Sequence, residues 1–465
     1  MMDLERLVAA LGAVEVVGRA PVEVRDLAYD ARTVTPGTVF FCVPGAQADG
    51  HDFAAEAVAG GAVALVVERP LELPVPQVVV SDARAAMAVA ADEFFERPTE
   101  QLEVVGVTGT SGKTTTSFLL FAILAAAGRR PGLLGTVEAR VGGERRGVKR
   151  TTPEAIELQR LFREMLDAGD RSCAMEASSH ASELHRLDRV RFAALVFTNL
   201  SQDHLDFHGD METYFQAKRR LFFEGNPRAA LNVADPYGRR LAEELPDALT
   251  FGFADDAEIG PQALDGIDVK LRGRFNVENA LGALAAGRLL GIADDAIARG
   301  IESVRGVPGR FEPVDEGQSF TVIVDYAHKP GALENVLRAA RDLAPGGRVI
   351  CVVGAGGDRD RGKRPLMGRL ASELADVTIV TSDNPRSEDP QAIIGEIVAG
   401  VVSEVDVEPD RATAITHAIE LAREGDVVLI AGKGAEQGQQ LADRTIPFDD
   451  REAARDALRA LGART

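Results

Sequence analysis

The segment LEVVGVTGTSGKTTT (102–116) constrains the fold more than any other stretch. An apolar run of strand character enters a loop of Gly, Thr and Ser, and a helix-competent run leaves it. Glycines let backbone N–H groups turn inward around phosphate oxygens, and the following helix N-terminus adds partial positive charge. The residues this loop offers to a nucleotide are Gly109, Thr110, Ser111, Gly112, Lys113, Thr114 and Thr115. Lys113 would reach the β- and γ-phosphates and Thr114 would ligate Mg²⁺. The strict G-x-x-x-x-G-K-[ST] pattern fails at its first position, which holds Val107. The alternative is a Gly/Thr-rich turn without a ligand, and the strand–loop–helix context disfavours it.

Around this loop, strand-like and helix-like runs alternate, which predicts α/β layers with mostly parallel sheets. At 465 residues the chain exceeds one ordinary core. Three domains are expected: an N-terminal α/β domain (1–100), a central P-loop ATPase-like domain (101–310) and a C-terminal Rossmann-like domain (311–465). The first holds strands at TVFFCV (38–43), VALVV (63–67) and QVVVS (77–81) and closes on a helix over 82–95. The second holds strands at 102–109, 171–177 and 193–200 and a helix over 212–223. The third holds strands at 320–327, 347–354, 376–381 and 426–432. In such sheets ligands bind beyond the carboxyl ends of the strands. DYAHKPG, GAGGDRD, TSDNPR and AGKGAEQ all fall on that rim.

Charge and cysteine usage narrow the partners. With 52 basic and 72 acidic residues the net charge is −20, a field that repels nucleic acid and anionic membranes. An anionic substrate therefore needs a local basic or helix-N-terminal site. Cys42, Cys173 and Cys351 are far apart and odd in number, so a disulfide framework is not expected and the cytoplasm is the default compartment. The N-terminal stretch lacks a basic region before an apolar core and does not read as a signal peptide. No run approaches the roughly 18–20 apolar residues of a membrane span. FAAEAVAGGAVALVVERP (53–70) comes closest and reads as helix, turn and strand.

Read in order, TGTSGKTT, MEASSH (175–180), TNLSQDHLDFHG (198–209), YFQAKRRLFF (214–223), RFNVENAL (274–281), GRFEPV (309–314), DYAHKPGAL (325–333), GGDRDRGKRPLM (356–367), DNPRSEDP (383–390) and GKGAEQ (432–437) resemble the Mur ligase family over nearly the whole chain. The resemblance implies an ATP-dependent amide ligase. The γ-phosphoryl of ATP moves to a substrate carboxylate, an amine attacks the acyl phosphate, and phosphate departs. It is to those members that add meso-2,6-diaminopimelate to UDP-MurNAc-L-Ala-D-Glu in cytoplasmic peptidoglycan precursor synthesis, acting as monomers without nucleic acid or stable membrane insertion.

The same resemblance assigns roles. Lys113, Glu176, His204 and Lys218 are the catalytic set, with two Mg²⁺ ions shared among Thr114, Glu176, His204 and a carbamate on Lys218. Spacing alone reveals nothing about that carbamate, since a helix Lys beside Arg219 and Arg220 is usually a solvated face. Asn279 is implied near adenine, Arg310 near the phosphates and Asp325 near the ribose; a bland reading of Asn279 is a polar contact inside a helix. Tyr29, Ala31, Gln47, Ala48, Thr151, Thr152, Ser178 and Arg186 are implied contacts to the UDP-MurNAc-dipeptide. Thr151–Thr152 also read as a helix N-cap before Pro153. Arg359, Asp383, Asn384, Pro385, Arg386, Gly432 and Glu436 form the implied diaminopimelate pocket, where a fixed guanidinium would hold the carboxylate that lysine lacks.

Ala31, Ala46 and Ala435 depart from the family pattern, which usually has Ser, His and His there; none touches phosphoryl chemistry. A folylpolyglutamate synthase or a sibling ligase would share the phosphate loop but lack DNPR. An inactive nucleotide-binding scaffold would lose one of the four catalytic residues. A P-loop motor or GTPase would show an Asp-ended apolar strand for Mg²⁺, which is not evident, and would not need a second α/β domain.

Overall fold

The computed structural model describes residues 2–18, 22–45 and 48–462. It is an α/β protein, as the alternation of runs predicts. By contact the chain divides into two units, Met1–Thr108 with Gly128–Leu195 and Ala217–Arg228, and Gly109–Ala127 with Val196–Gln216 and Ala229–Thr465.

In the first unit, a five-stranded sheet takes the order Glu15–Val17, Gln77–Val79, Ala62–Val67, Thr38–Phe41, Asp26–Ala28. Its first strand is antiparallel and the others parallel. The helix Ala83–Phe94 starts where Asp82 accepts the N–H groups of Arg84 and Ala85, an N-cap. Its small alanines pack closely over Val39, Phe41, Val66 and Val78. The same unit carries Glu103–Thr108, the strand that leads to the phosphate loop, paired parallel to Ser172–Glu176, itself parallel to Pro131–Leu134. A hairpin that the runs did not reveal, Ala139–Val141 with Glu144–Arg146, extends this sheet antiparallel. Gly142 and Gly143 sit at φ 58 and 85, the left-handed pair that a two-residue hairpin turn requires.

In the second unit, the helix Lys113–Ala126 packs on Arg274–Leu289 and on Asp294–Ser303. Gly300 makes the latter approach possible, since a Cβ there would lie 2.5 Å from Ile123 Cα. A six-stranded sheet follows in the order Glu312–Val314, Thr321–Asp325, Val427–Ala431, Val349–Val353, Val377–Val380, Asp406–Val407. All but the first strand run parallel. Both faces are covered by helices, so its strands are continuous apolar runs rather than alternating ones. Their carboxyl ends lie at one edge and carry Asp325, Gly354, Thr381 and Gly432, as the rim reading expects.

The cysteines are buried and unpaired. Among the described residues no helix is long and apolar enough to cross a membrane.

Candidate active site

The phosphate loop is held by the segment Thr198–Asn199. Thr110 N–H donates to the Asn199 carbonyl, Ser111 N–H to Asn199 Oδ1 at 3.0 Å, and Thr198 Oγ1 to the Ser111 carbonyl at 2.6 Å. Gly109 and Gly112 have φ 142 and 86. A Cβ on Gly109 would fall 1.9 Å from Thr198 Oγ1, and one on Gly112 2.3 Å from Asn279 Oδ1. These two glycines are therefore required by backbone angle and by space. Val107, where the strict pattern has Gly, is a fully buried strand residue and lies outside the turn.

Lys113 Nζ folds back on the loop, donating to the Gly109 and Thr110 carbonyls at 2.9 Å. Thr114 and Thr115 are buried at the start of the helix, and Thr114 Oγ1 accepts from Arg310 Nη2 at 3.0 Å. The Arg310 guanidinium also lies 4.3 Å from the Tyr326 ring centroid, so cation–π contact and hydrogen bond fix its plane. Asn279 is buried beneath the loop, donating to Asn276 Oδ1 while Thr116 Oγ1 donates to it. The polar contact inside a helix is thus real. Asp325 is committed to its own backbone neighbourhood: its two oxygens accept the N–H groups of Phe311 and Ala327 at 2.7 Å. Burial pushes its carboxyl up to about 6.

Beyond the strand Phe192–Phe197 the chain turns through Asp203 and His204, the latter at φ 54. Burial draws the His204 imidazole below its ordinary range, which keeps it neutral and able to act as a ligand. Burial opposes ionisation of Asp203, but Lys329 and His204 beside it hold its carboxyl far below the usual range. Its Oδ2 lies 2.5 Å from Lys329 Nζ and 2.7 Å from His204 Nε2, yet makes no aligned hydrogen bond.

In the first unit, Glu176 ends its strand almost fully buried. Its carboxylate accepts from Thr136 N–H at 2.7 Å and Thr136 Oγ1 at 3.0 Å. Thr151 Oγ1 lies 3.1 Å from Thr136 Oγ1, and Thr152 Oγ1 donates to the Glu176 carbonyl at 2.8 Å and sits 3.2 Å from Ser178 Oγ. Thr136, Thr151, Thr152, Glu176 and Ser178 are therefore one polar cluster. The N-cap reading of Thr151–Thr152 fails, because the helix starts at Ala155 and Glu154 occupies the cap, its N–H donating to Glu157. Ser178 caps Ser179–Glu183 instead. Arg186 pairs with Glu154 at 2.8 Å, and its Nε is buried with no hydrogen-bond partner. Lys218 is 1% exposed, so the solvated-face reading of this lysine is wrong. Its neighbour Arg220 is tied to Asp188 at 2.5 Å.

Tyr29 Oη donates to Glu157 at 2.9 Å and accepts from Arg150. Ala31 opens a short 3₁₀ turn capped by Asp30, and Ala48 is exposed on the following loop. Gln47 and Ala46 lie outside the described residues.

The rim of the six-stranded sheet gathers the rest. Arg386 has φ 51 and is half-buried. Its Nε donates to Gln440 Oε1 at 2.9 Å and its Nη1 to the Gly357 carbonyl at 2.7 Å. Burial first, then the nearby Arg359, lowers its affinity for a proton. Arg359 itself is bonded only locally, to the Asp358 carbonyl. Asn384, just before Pro385, is tied to protein groups: its Nδ2 donates to Glu436 Oε2 at 2.8 Å, and its Oδ1 accepts from Lys433 Nζ and Gln440 N, both at 2.9 Å. Gly432 has φ 127, and a Cβ there would meet Asp383 Oδ2 at 2.5 Å.

The residue sequence reasoning missed here is Lys433, whose side chain is fully buried between Asn384, Glu436 (3.2 Å) and Asp383 (3.9 Å). Lys329, His328 and Lys363, all largely buried, were missed as well. The signal available was their place on the rim motifs DYAHKPG, GDRDRGK and GKG.

A glycine-shaped phosphate loop whose helix bears Lys and Thr, with a second α/β sheet presenting a charged rim, defines a nucleotide-using enzyme of two substrate halves. Three successive stretches match the Mur ligase family: its catalytic domain over residues 23–98, its middle domain over 107–287 and its glutamate ligase domain over 309–434. The chain belongs to that family. Among its relatives, the UDP-N-acetylmuramoyl-L-alanyl-D-glutamate--2,6-diaminopimelate ligase of Solibacter usitatus (strain Ellin6076) is 48% identical over 471 residues, covering 95% of each chain. The enzyme of that name from Geobacillus kaustophilus (strain HTA426) is 48% identical over 467 residues, covering 94% of this chain and 95% of its own. A solved structure of such a ligase superposes with a TM-score of 0.67 at 29% identity, covering 99% of both chains.

Proposed function

We propose that this protein joins meso-2,6-diaminopimelate to UDP-MurNAc-L-Ala-D-Glu at the expense of ATP, giving the UDP-MurNAc-tripeptide, ADP and phosphate. The near full-length identity to ligases of that name supports the reaction. The single observation that carries the choice of amino acid is Arg386 on the rim, whose guanidinium is fixed by Gln440 and the Gly357 carbonyl, with Arg359 acting on it as a second cation. A carboxylate placed there relieves the repulsion and gains a forked hydrogen bond. Glu436 would face the ammonium at that end of the amino acid. Asn384 and Lys433 set the position of Glu436 through the hydrogen bonds they make to it and to each other.

The ATP half follows the phosphate loop. Gly109 to Thr115 cradle the phosphates, Lys113 leaves its own loop carbonyls for the β- and γ-phosphates, and Arg310 supports Thr114 beside them. Asn279 and Asp325 are assigned to the adenosine side. For Asp325, its two backbone bonds make loop anchoring the larger part of the role. Thr151, Thr152, Ser178 and Arg186 hold the dipeptide end of the nucleotide substrate, and the buried unpartnered Arg186 Nε is a donor available to it. Tyr29, Ala31, Gln47 and Ala48 lie toward the uridine.

By their chemistry the donors Thr114, Glu176, His204 and a carbamate on Lys218 would suit Mg²⁺: hydroxyl and carboxylate oxygens with an imidazole drawn toward its neutral form. When bound, Mg²⁺ neutralises charge on the phosphoryl oxygens. The division into domains 1–100, 101–310 and 311–465, a monomeric state and a cytoplasmic location complete the reading.

The test is ATP-dependent phosphate release with UDP-MurNAc-L-Ala-D-Glu and meso-diaminopimelate, L-lysine or L-ornithine side by side. Release with diaminopimelate is expected. No release with any amine overturns the ligase reading; preference for lysine overturns only the choice of amino acid.

A further inference from the structure

Two lysines converge on one carbonyl of the phosphate loop. The Thr110 carbonyl accepts from Lys113 Nζ at 2.9 Å and faces Lys329 Nζ at 3.4 Å. Lys113 belongs to the loop itself. Lys329 arrives from the six-stranded sheet, in the cap position of the helix Pro330–Leu343. That helix start lies over the segment pinning the loop: a Cβ on Gly331 would be 3.9 Å from Ser201 Oγ.

Two ammonium groups at one carbonyl repel each other. The carboxylate that offsets Lys329 is Asp203, at 2.5 Å, with side-chain exposures of only 12% and 10%. Lys363, also buried, adds a third cation in the field of Asp203 and Lys329, with the carboxylates of Asp383 and Asp360 also acting on it. His204 and His328 are both drawn toward their neutral forms, by burial first and by these lysines next. Lys113 and Lys329 thus meet at one loop carbonyl, with Lys363 close by and Asp203 as the carboxylate beside Lys329. Ammonium groups gathered in a largely buried corner attract an anion that can join them. Lys113 is the lysine expected to meet the phosphates, and Lys329 is the second lysine at the same loop carbonyl.

We propose that Lys329 is a second phosphate-binding cation, which swings from Asp203 to the terminal phosphoryl group of ATP. The proposal rests on the ligase reading above and adds a residue to it. In the step it serves, a substrate carboxylate oxygen forms a bond to the γ-phosphorus while the bond from that phosphorus to the β,γ-bridging oxygen breaks. The electron pair of the broken bond stays on ADP, and no proton moves. Lys329 remains an ammonium throughout and donates hydrogen bonds to the equatorial oxygens, where charge must be neutralised as two anions meet. Because Lys329 sits at the start of a helix of the amino-acid sheet, its contact also ties that part of the chain to the presence of a γ-phosphate.

The test compares ADP with a non-hydrolysable ATP analogue, titrated calorimetrically with Mg²⁺ into the full-length chain and into Lys329→Met and Lys329→Arg. A charge-assisted hydrogen bond made only to the γ-phosphate is worth a factor of roughly 10 to 100. Lys329→Met should weaken the analogue by that factor and leave ADP within about twofold, while Lys329→Arg keeps most of the analogue affinity. If both nucleotides weaken equally, Lys329 is a strut for Asp203 and the proposal is overturned; unchanged affinity for both overturns it as well. The titration needs no amino-acid substrate, so it stands apart from the ligation assay: an enzyme that released no phosphate would sink the ligase reading while the nucleotide ratio still reported on Lys329.

Discussion

Replacing Arg386 by alanine should remove the discrimination of diaminopimelate from lysine. The guanidinium has five N–H donors. One, on Nε, is taken by Gln440, and one on Nη1 by the Gly357 carbonyl, which orients the fork and leaves the Nη2 edge toward the rim. Truncating one partner of a buried charged pair costs about 2–5 kcal/mol. Half-burial of Arg386 puts this case in the lower part, about 2–3.5 kcal/mol, which is roughly a 30- to 300-fold loss in kcat/KM at 1.4 kcal/mol per decade. The assay is steady-state phosphate release with each amino acid varied at saturating ATP and nucleotide substrate. L-lysine lacks the second carboxylate, so its low kcat/KM should hardly move, and the selectivity ratio should collapse. Arg386→Lys keeps a charge but loses the fork and should fall between the two. Retention of diaminopimelate kcat/KM within about threefold would refute the clamp. So would an equal loss for lysine, which would mean that Arg386 only braces the loops at Gly357 and Gln440.

Three further outcomes are expected. Arg411 and Asp450 form a fully buried ion pair, with Arg411 also donating to the Ser382 and Ala431 carbonyls below the rim; Asp450→Ala should cost about 3–5 kcal/mol in urea unfolding, and Arg411→Met with Asp450→Leu should recover most of it. Labelling with ¹³C-bicarbonate should give a carbamate carbon resonance that Lys218→Met abolishes, and its absence from the unaltered chain would remove that lysine from the metal set. Hydrogen bonding to Asp188 raises the His185 imidazole above its ordinary value, so its stabilisation is complete below about pH 6.5 and lost as pH rises through the native value. His185→Gln should flatten that part of the urea midpoint against pH, and an unchanged profile would refute the assignment.

What the sequence discloses depends on how local the physics is. The phosphate loop was legible because its geometry is set by consecutive residues: only glycine takes φ 142 and 86 against Thr198 and Asn279. The parallel strands were legible because burial on both faces demands unbroken apolar runs, and Val349–Val353 and Val427–Ala431 are such runs. The hairpin at 139–146 was not, because its outer strand, Glu144–Arg146, is exposed and carries no apolar pattern. Lys433 and Lys329 were hidden for a different reason. A lysine between glycines or before a proline reads as solvated, and its burial exists only once Asn384, or Asp203, arrives from a distant segment. The DNPR motif shows both sides of this divide. Its place at a strand end follows from local pattern, but the bonds within it do not: Asn384 bonds Lys433 and Glu436, while Arg386, at φ 51, bonds Gln440 and Gly357 and is the member we propose meets the ligand. On the proposed function, the bonds of Asn384 give it a supporting part beside Arg386. Substituting Asn384 should then disturb diaminopimelate use only through Glu436.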